Sequence, residues 1–286
     1  MQSKLKKVNM QIEKQKEKLI ITSLEDFNIV QTLDCGQIFR YTINGNTAVV
    51  KSMDKCAYIN FSSNRIEIES ADIDYFYNFF DLNRNYTKIK QQLSNDSFLR
   101  PAIEYGSGIR IINNDPYEMI ISFIISANNN IGRIKKSIEY ICTYFGNNMG
   151  DYYAFPTLAQ LKTATVKDFT LAGLGYRAPQ LFETVQRLTS EQIENLKTLS
   201  VTEQFNFLTS LKGVGEKVAN CILLFGLGVK TVFPVDTWIN KVYNNLTGCV
   251  QTDRKKITKE LTNRYGNLSG YAQQYFFYYY RDNKIN

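Results

Sequence analysis

The period of the apolar residues changes along this chain, and that change limits the folds open to it. Between Ile38 and Ser70 the segments IFRYTI, TAVVKSM, AYINFSS and RIEIES have strand character. RIEIES alternates apolar and polar residues, as a sheet with one wet face does. Asn44-Gly45, between the first two segments, is a strong hairpin signal. After Ser70 the spacing turns helical, with ADIDYFYNFF, NYTKIKQQLS and SFLRPAIEY. From about Ile111 onward it is almost only helical. Strands followed by helices, rather than alternating with them, predict an α+β fold. We expect an N-terminal antiparallel β-sheet domain with flanking helices over 1–110. A mainly α-helical region follows over 111–286, packed as two bundles. Residues 1–20 are rich in Lys, Gln and Glu and read as an exposed arm or a poorly anchored first segment.

Bulk properties narrow the function by exclusion. The chain has 286 residues and a net charge of +7, a basic balance compatible with a nucleic-acid partner without requiring one. No apolar run is long enough to span a membrane. Lys4, Lys6, Lys7, Lys14, Lys16 and Lys18 interrupt any signal-peptide core. We therefore expect no membrane association and a monomer in the cytoplasm, associated with the nucleoid in a prokaryote. Cys35, Cys56, Cys142, Cys221 and Cys249 are odd in number and contain no CxxC, so neither a disulfide framework nor a zinc site is suggested. The chain has no histidine, which removes His-based triads, His–metal sites and the usual neutral-pH proton shuttle. Acid–base work falls to Asp, Glu, Lys, Tyr or Cys.

The segment LKGVGEKVANCILLFGLGVKTVFPVDTW, residues 211–238, carries most of the chemistry. Ser200 and Glu203 form a capping box that opens the helix before it. Gly213 and Gly215 then make a tight turn that allows positive φ and exposes amides ahead of a second helix. This helix–hairpin–helix, with its hairpin at 211–217, presents oriented N–H groups and the positive end of a helix dipole to an anion. The spacing is not that of a Walker A loop, and an ordinary interhelical turn has the same residues. Lys217 lies in the first turn, where the dipole disfavours a cation and nucleophilic catalysis would want a neutral amine. A solvated surface lysine is the plainer alternative. Cys221 shares that face four residues later, as a buried core residue would. Asp236 reads equally as a helix N-cap and as a carboxylate able to stabilise a cationic sugar.

LKGVGEKVA and VFPVDTW together closely resemble the helix–hairpin–helix/Gly-Pro-Asp DNA glycosylases. DCGQIFRY at 34–41, DPYEMIISFIISANNNIGRI at 115–134, LGYRA at 174–178 and GYAQQYFF at 270–277 resemble the 8-oxoguanine DNA glycosylase branch. The resemblance runs in order from about residue 25 onward. It implies a DNA glycosylase with AP lyase activity that flips the damaged base from duplex DNA and excises 8-oxoguanine, opposite cytosine, with no cofactor and no metal. Lys217 is then the catalytic amine that forms a Schiff base before β-elimination, and Asp236 the carboxylate beside it. Gly36 supplies a carbonyl to N7–H of the lesion, which guanine lacks. Cys221 and Phe277 sandwich the flipped base, Gln273 reads its Watson–Crick edge, and Phe225 completes the pocket. Asn128, Arg133 and Arg177 contact the opposite cytosine, and Tyr176 wedges into the stack. Gly213, Gly215 and Trp238 face the DNA backbone. The implied partner is double-stranded DNA containing 8-oxoguanine.

The chain departs from the family pattern at two places. Trp238 stands where many members have histidine, and Phe225 where animal members usually have methionine. Two other readings stay open here. One is a related glycosylase for another oxidised base or for adenine, though many of those carry a four-cysteine iron–sulfur site after the last cysteine found here, Cys249. The other is a non-catalytic DNA-binding protein that uses the hairpin only for grip.

Overall fold

A computed structural model describes residues 10–283 of the chain. Its six strands are β1 (Gln11–Lys14), β2 (Lys18–Thr22), β3 (Tyr41–Asn44), β4 (Thr47–Ser52), β5 (Lys55–Phe61) and β6 (Arg65–Glu69). They form one antiparallel sheet in the order β1-β2-β6-β5-β4-β3. The Asn44-Gly45 turn joins β3 to β4, with Gly45 at φ 55°. Alternation does what the pattern predicts. Leu19, Ile21, Ala48, Val50, Ala57, Ile59, Ile66 and Ile68 are buried on one face, and Phe27, Ile29, Phe76, Phe79, Phe80 and Ile112 cover it.

The reading of residues 1–20 as an exposed arm needs correction from residue 10 onward. The hairpin β1–β2 adds two strands to the sheet, and Leu19 and Ile21 are fully buried opposite Ile68 and Ile66. KLIIT is a short alternating strand whose signal is masked in composition by the lysines around it. Residues 1–9 lie outside the described residues.

The helical region also differs in one respect. Its buried side chains form one continuous core, not two bundles with a core each. The reason is the helix Pro116–Ser126. Its residues 116–125 are all buried, and a helix apolar on every face must be surrounded. It packs against the helices Ile131–Phe145, Arg177–Arg187 and Glu216–Phe225. Side chains between Tyr86 and Ile111 also join this helical core.

Two buried arginines join sheet and helices. Arg110 is fully buried. Its Nε donates to the Phe80 carbonyl (2.9 Å), Nη1 to Asp26 (3.1 Å), and Nη2 to Arg84 (3.0 Å) and to the Asp81 carbonyl. Its guanidinium also lies 4.1 Å from the centre of the Tyr86 ring. A buried cation is tolerated only when its donors are met in this way. Arg40, just before β3, donates to the carbonyls of Met53 (3.1 Å) and Tyr153 (2.5 Å) and lies 3.6 Å from the buried Glu118. Burial raises the Glu118 pKa and Arg40 opposes that rise.

A truncation in β2 tests its place in the sheet. Ile21→Ala removes a buried side chain and should lower unfolding stability by about 2–5 kcal/mol, measured by urea denaturation. A change within about 0.5 kcal/mol, typical of an exposed site, would return the segment to an arm.

Candidate active site

The hairpin is built as its sequence directs, with one correction. The helix Val201–Ser210 starts at the Ser200/Glu203 capping box and the second helix is Glu216–Phe225. Only Gly213 takes positive φ, at 83°. A Cβ there would also lie 3.2 Å from Gln180 Cβ and 3.3 Å from Ile124 Cγ2, so the turn packs too closely for a side chain. Gly215 has φ −89° and serves as the N-cap. Having no side chain, it leaves the first amides of the helix uncapped. Ser200, Asn130, Asp236 and Asp253 each cap their own helices with a side-chain oxygen. An uncapped N-terminus of this kind suits an anion.

Lys217 sits half-buried in the first turn of that helix. Its Nζ lies 5.7 Å from the centre of the Phe123 ring. Cys221, one turn on, is buried. Burial pushes its thiol pKa up, the adjacent Lys217 pulls it down, and Asp236 raises it again. Amine and carboxylate both act on the thiol electrostatically, in opposite directions. Asp236 is also the N-cap of Thr237–Thr247, and its Oδ1 accepts from Ile239 N at 2.9 Å. The structure thus shows the cap, the first of its two sequence readings. Trp238 is half-buried, with Lys241 Nζ 5.3 Å from its ring centre. Phe225 is buried and stacked on Phe123, 5.7 Å apart at 15°. It therefore lies behind Phe123, a residue the sequence reading took only as part of an apolar helix.

A second group joins residues from early and late in the sequence. Gly36 has φ 80°, and a Cβ there would lie 3.0 Å from Phe277 Cε1. Loop and C-terminal helix, Ser269–Asn283, thus meet at Gly36 and the half-buried Phe277. Gln274 Nε2 donates to the Cys35 carbonyl (2.6 Å), and Arg281 Nη1 to the Asp34 carbonyl (2.7 Å). Sequence reasoning missed both residues. Gln37 holds the loop from below. Its Nε2 donates to the carbonyls of Thr32 (2.8 Å) and Arg110 (2.7 Å), and its Oε1 accepts from Ile112 N (3.0 Å). Gln273 is buried, and its Oε1 has no hydrogen-bond partner. It shares that condition with five other buried polar atoms, Arg40 Nε, Ser122 Oγ, Gln204 Oε1, Tyr271 OH and Tyr275 OH.

A third group lies around the turn after Pro116–Ser126. Asn128 is exposed at φ 49°. Arg177 holds it there by its backbone. Nε donates to the Ala127 carbonyl (2.5 Å) and Nη2 to the Asn128 carbonyl (2.5 Å). Tyr176 is 56% exposed, and its hydroxyl donates to the Ala127 carbonyl at 3.2 Å. Arg133 is exposed in the first turn of Ile131–Phe145. Asn130 is the N-cap of that helix, accepting from Arg133 N at 3.0 Å. Tyr176, Arg177 and Asn128 are thus brought together, with Arg177 buried beneath the turn.

Lys230 fastens the hairpin helix to the C-terminal helix. Its Nζ donates to the Leu224 carbonyl (3.2 Å) and Asn113 Oδ1 (3.3 Å), and its carbonyl accepts from Gly270 N (2.8 Å). Burial pushes its pKa down to about 8.

Sequence comparisons agree with this geometry. The family described as 8-oxoguanine DNA glycosylase, N-terminal domain, matches residues 19–120. The HhH-GPD superfamily base excision DNA repair protein family matches residues 121–267. The N-glycosylase/DNA lyase OGG1 of Arabidopsis thaliana is 33% identical over 188 residues, 59% of this chain. The match spans about half of that relative's length, 51%. A probable N-glycosylase/DNA lyase of Methanothermobacter thermautotrophicus is 30% identical over 231 residues, 72% of each chain. Among solved structures, the 8-oxoguanine glycosylase/lyase of Clostridium acetobutylicum, in complex with dsDNA containing cytosine opposite to 8-oxoG, superposes with a TM-score of 0.89. It is 37% identical, covering 96% of this chain and 99% of that one.

Lys230 gives a pH test of the site's anchoring. Its folded pKa is below the unfolded value, so the folded state carries the cost of a buried ammonium at low pH. That cost fades as pH rises from about 8 to the ordinary lysine value. Lys230→Met should therefore be favoured over the wild type near pH 7 and lose that advantage by about pH 10, followed by denaturation at each pH. A stability difference independent of pH would show that the amine is not buried.

Proposed function

The chain belongs to the 8-oxoguanine DNA glycosylase family of HhH-GPD base excision repair proteins, and on that footing we propose that it is a DNA glycosylase and AP lyase that excises 8-oxoguanine opposite cytosine. One observation carries the reading. Lys217 lies in the first turn of the hairpin helix, and both it and Asp236 bear on the Cys221 thiol. An amine and a carboxylate are thereby held beside a turn with uncapped amides.

The reaction follows from these groups. The hairpin amides and Gly213 take a backbone phosphate, and the damaged nucleotide swings out of the stack. Phe277 offers a ring face to the base, with Cys221 on the opposite side. The Gly36 carbonyl accepts from N7–H, a hydrogen that guanine does not have, and would meet a lone pair on guanine. Gln273 Oε1, unpartnered in this structure, accepts from the Watson–Crick edge. Lys217 Nζ then attacks C1′ with its lone pair. The C1′–N9 bond breaks with its electron pair on the base, which takes up a proton. Asp236 stabilises the positive charge that develops on the sugar. The amine nitrogen loses its protons as the sugar ring opens to a Schiff base. Removal of a C2′ proton then expels the 3′ phosphate, cutting the strand.

On the other strand, Tyr176 fills the space vacated by the base. Asn128 and Arg133 are exposed and donate to the acceptors of cytosine. Arg177 is buried with its guanidinium on the carbonyls of Ala127, Leu174 and Asn128, so its part in reading the opposite cytosine is to set the Asn128 turn. Gly213, Gly215 and Trp238 line the backbone side, where the indole N–H can donate to a phosphate. On the proposed division into a sheet domain over 1–110 and a glycosylase region over 111–286, the base-reading loop belongs to the first and the amine to the second.

The test is covalent trapping. Duplexes carrying 8-oxoguanine opposite each base are mixed with the protein and borohydride, and adducts are resolved on a denaturing gel. An adduct strongest opposite cytosine and abolished in Lys217→Gln is the expected result. An adduct formed only with oxidised pyrimidines, or one that survives the substitution, overturns the assignment.

A further inference from the structure

The helix Arg254–Tyr265 begins RKKITK, a run of four cations in six residues, and lies next to the hairpin. Contact between the two is direct. Lys255 Nζ is 2.7 Å from a carboxylate oxygen of Glu216, the residue between Gly215 and Lys217. At about 100° per residue, Lys255, Lys256 and Lys259 fall in one sector of the helix, away from the buried Ile257 and Leu261. All three lysines are exposed. Among the described residues Lys256 and Lys259 have no ion-pair partner. The nearby Glu260 carboxylate is taken by the Tyr243 hydroxyl.

The N-terminal amides of this helix cannot explain the cations. Asp253 caps them, its Oδ1 accepting from Lys255 N (2.9 Å) and Lys256 N (3.4 Å). What the helix offers is therefore a row of mobile side-chain charges. Like charges on adjacent turns oppose each other in the folded protein, so the row adds nothing to stability that would account for it. Glu216 has the opposite problem. It puts a negative charge on the first residue of a helix whose start suits an anion, where it would repel a phosphate. Lys255 offsets that charge.

We propose that Lys255, Lys256 and Lys259 form a second phosphate-binding element, continuous with the hairpin, that grips the DNA backbone beyond the lesion. Lys255 neutralises Glu216 so that the hairpin can accept a phosphate. Lys256 and Lys259 each take a further one. The element carries no base-specific donor geometry, so it acts on damaged and undamaged duplex alike. The inference rests on the glycosylase reading only for the identity of the polymer as duplex DNA.

Binding of undamaged and 8-oxoguanine duplexes, followed by fluorescence anisotropy from 50 to 200 mM salt, tests it. Each phosphate contact contributes about 0.9 to the slope of log affinity against log salt. Lys256→Ala/Lys259→Ala should therefore flatten the slope by about 1.8. Affinity would then fall about tenfold less across that range than in the wild type. The change should be equal on both duplexes, with an unaltered melting temperature. Lys255→Ala should weaken binding, and adding Glu216→Gln should restore it. An unchanged slope in the double variant overturns the proposal, as does a loss confined to the damaged duplex. Failure of Glu216→Gln to restore binding overturns the role given to Lys255. Because the undamaged duplex reports binding without excision, these outcomes stand apart from whether 8-oxoguanine is the substrate.

Discussion

The side chain of Gln37 holds the loop on which the candidate site depends. It is fully buried, and its amide bridges the carbonyls of Thr32 and Arg110 and the N–H of Ile112. Both ends of the amide are satisfied, so the side chain has one orientation, and the loop it carries has one as well. From above, Gln274 and Arg281 take the carbonyls of Cys35 and Asp34. Gly36 is caught between, in a left-handed conformation and in contact with Phe277. The proposed reading, in which this carbonyl tells N–H from a lone pair, needs such fixity, because a displacement of about an ångström removes most of a hydrogen bond's worth.

The same logic runs through the seam between sheet and helices. Arg110 and Arg40 are buried cations whose partners are mostly main-chain carbonyls, drawn from segments far apart in the chain. Such groups are costly unless every contact is made together. Arg40 ties the turn after β4 to the central helix Pro116–Ser126. Arg110 ties Asp26 to the segment Phe80–Arg84. The Asp34–Gly36 loop is fastened separately, by Gln274 and Arg281.

Much of this was legible in the chain. The Asn44-Gly45 hairpin, the alternation in RIEIES, the Ser200/Glu203 capping box and the helix–hairpin–helix each have a local physical cause, and each is present. β2 was missed because the stretch before it, EKQKE at 13–17, is wholly charged or polar, while its burial depends on pairing with β6 far along the chain. Gly215 was misread because a glycine suits an N-cap as well as a positive φ, and only the neighbouring backbone decides. In the site, Lys217 and Asp236 were visible as a pattern. Phe123, Gln274, Arg281 and Gln37 were not. Their roles exist only through contacts with residues that the sequence places elsewhere, and no spacing rule links Gln274 to Cys35.

The meeting of Gly36 with Phe277 has a consequence for the order in which the protein acquires its properties. During synthesis the hairpin and Lys217 emerge well before residues 273–281. The helix that carries Phe277 also supplies Tyr271, Tyr275 and Phe276 to the helical core. Docking of that one helix therefore closes the core and brings Phe277 onto Gly36 in the same event.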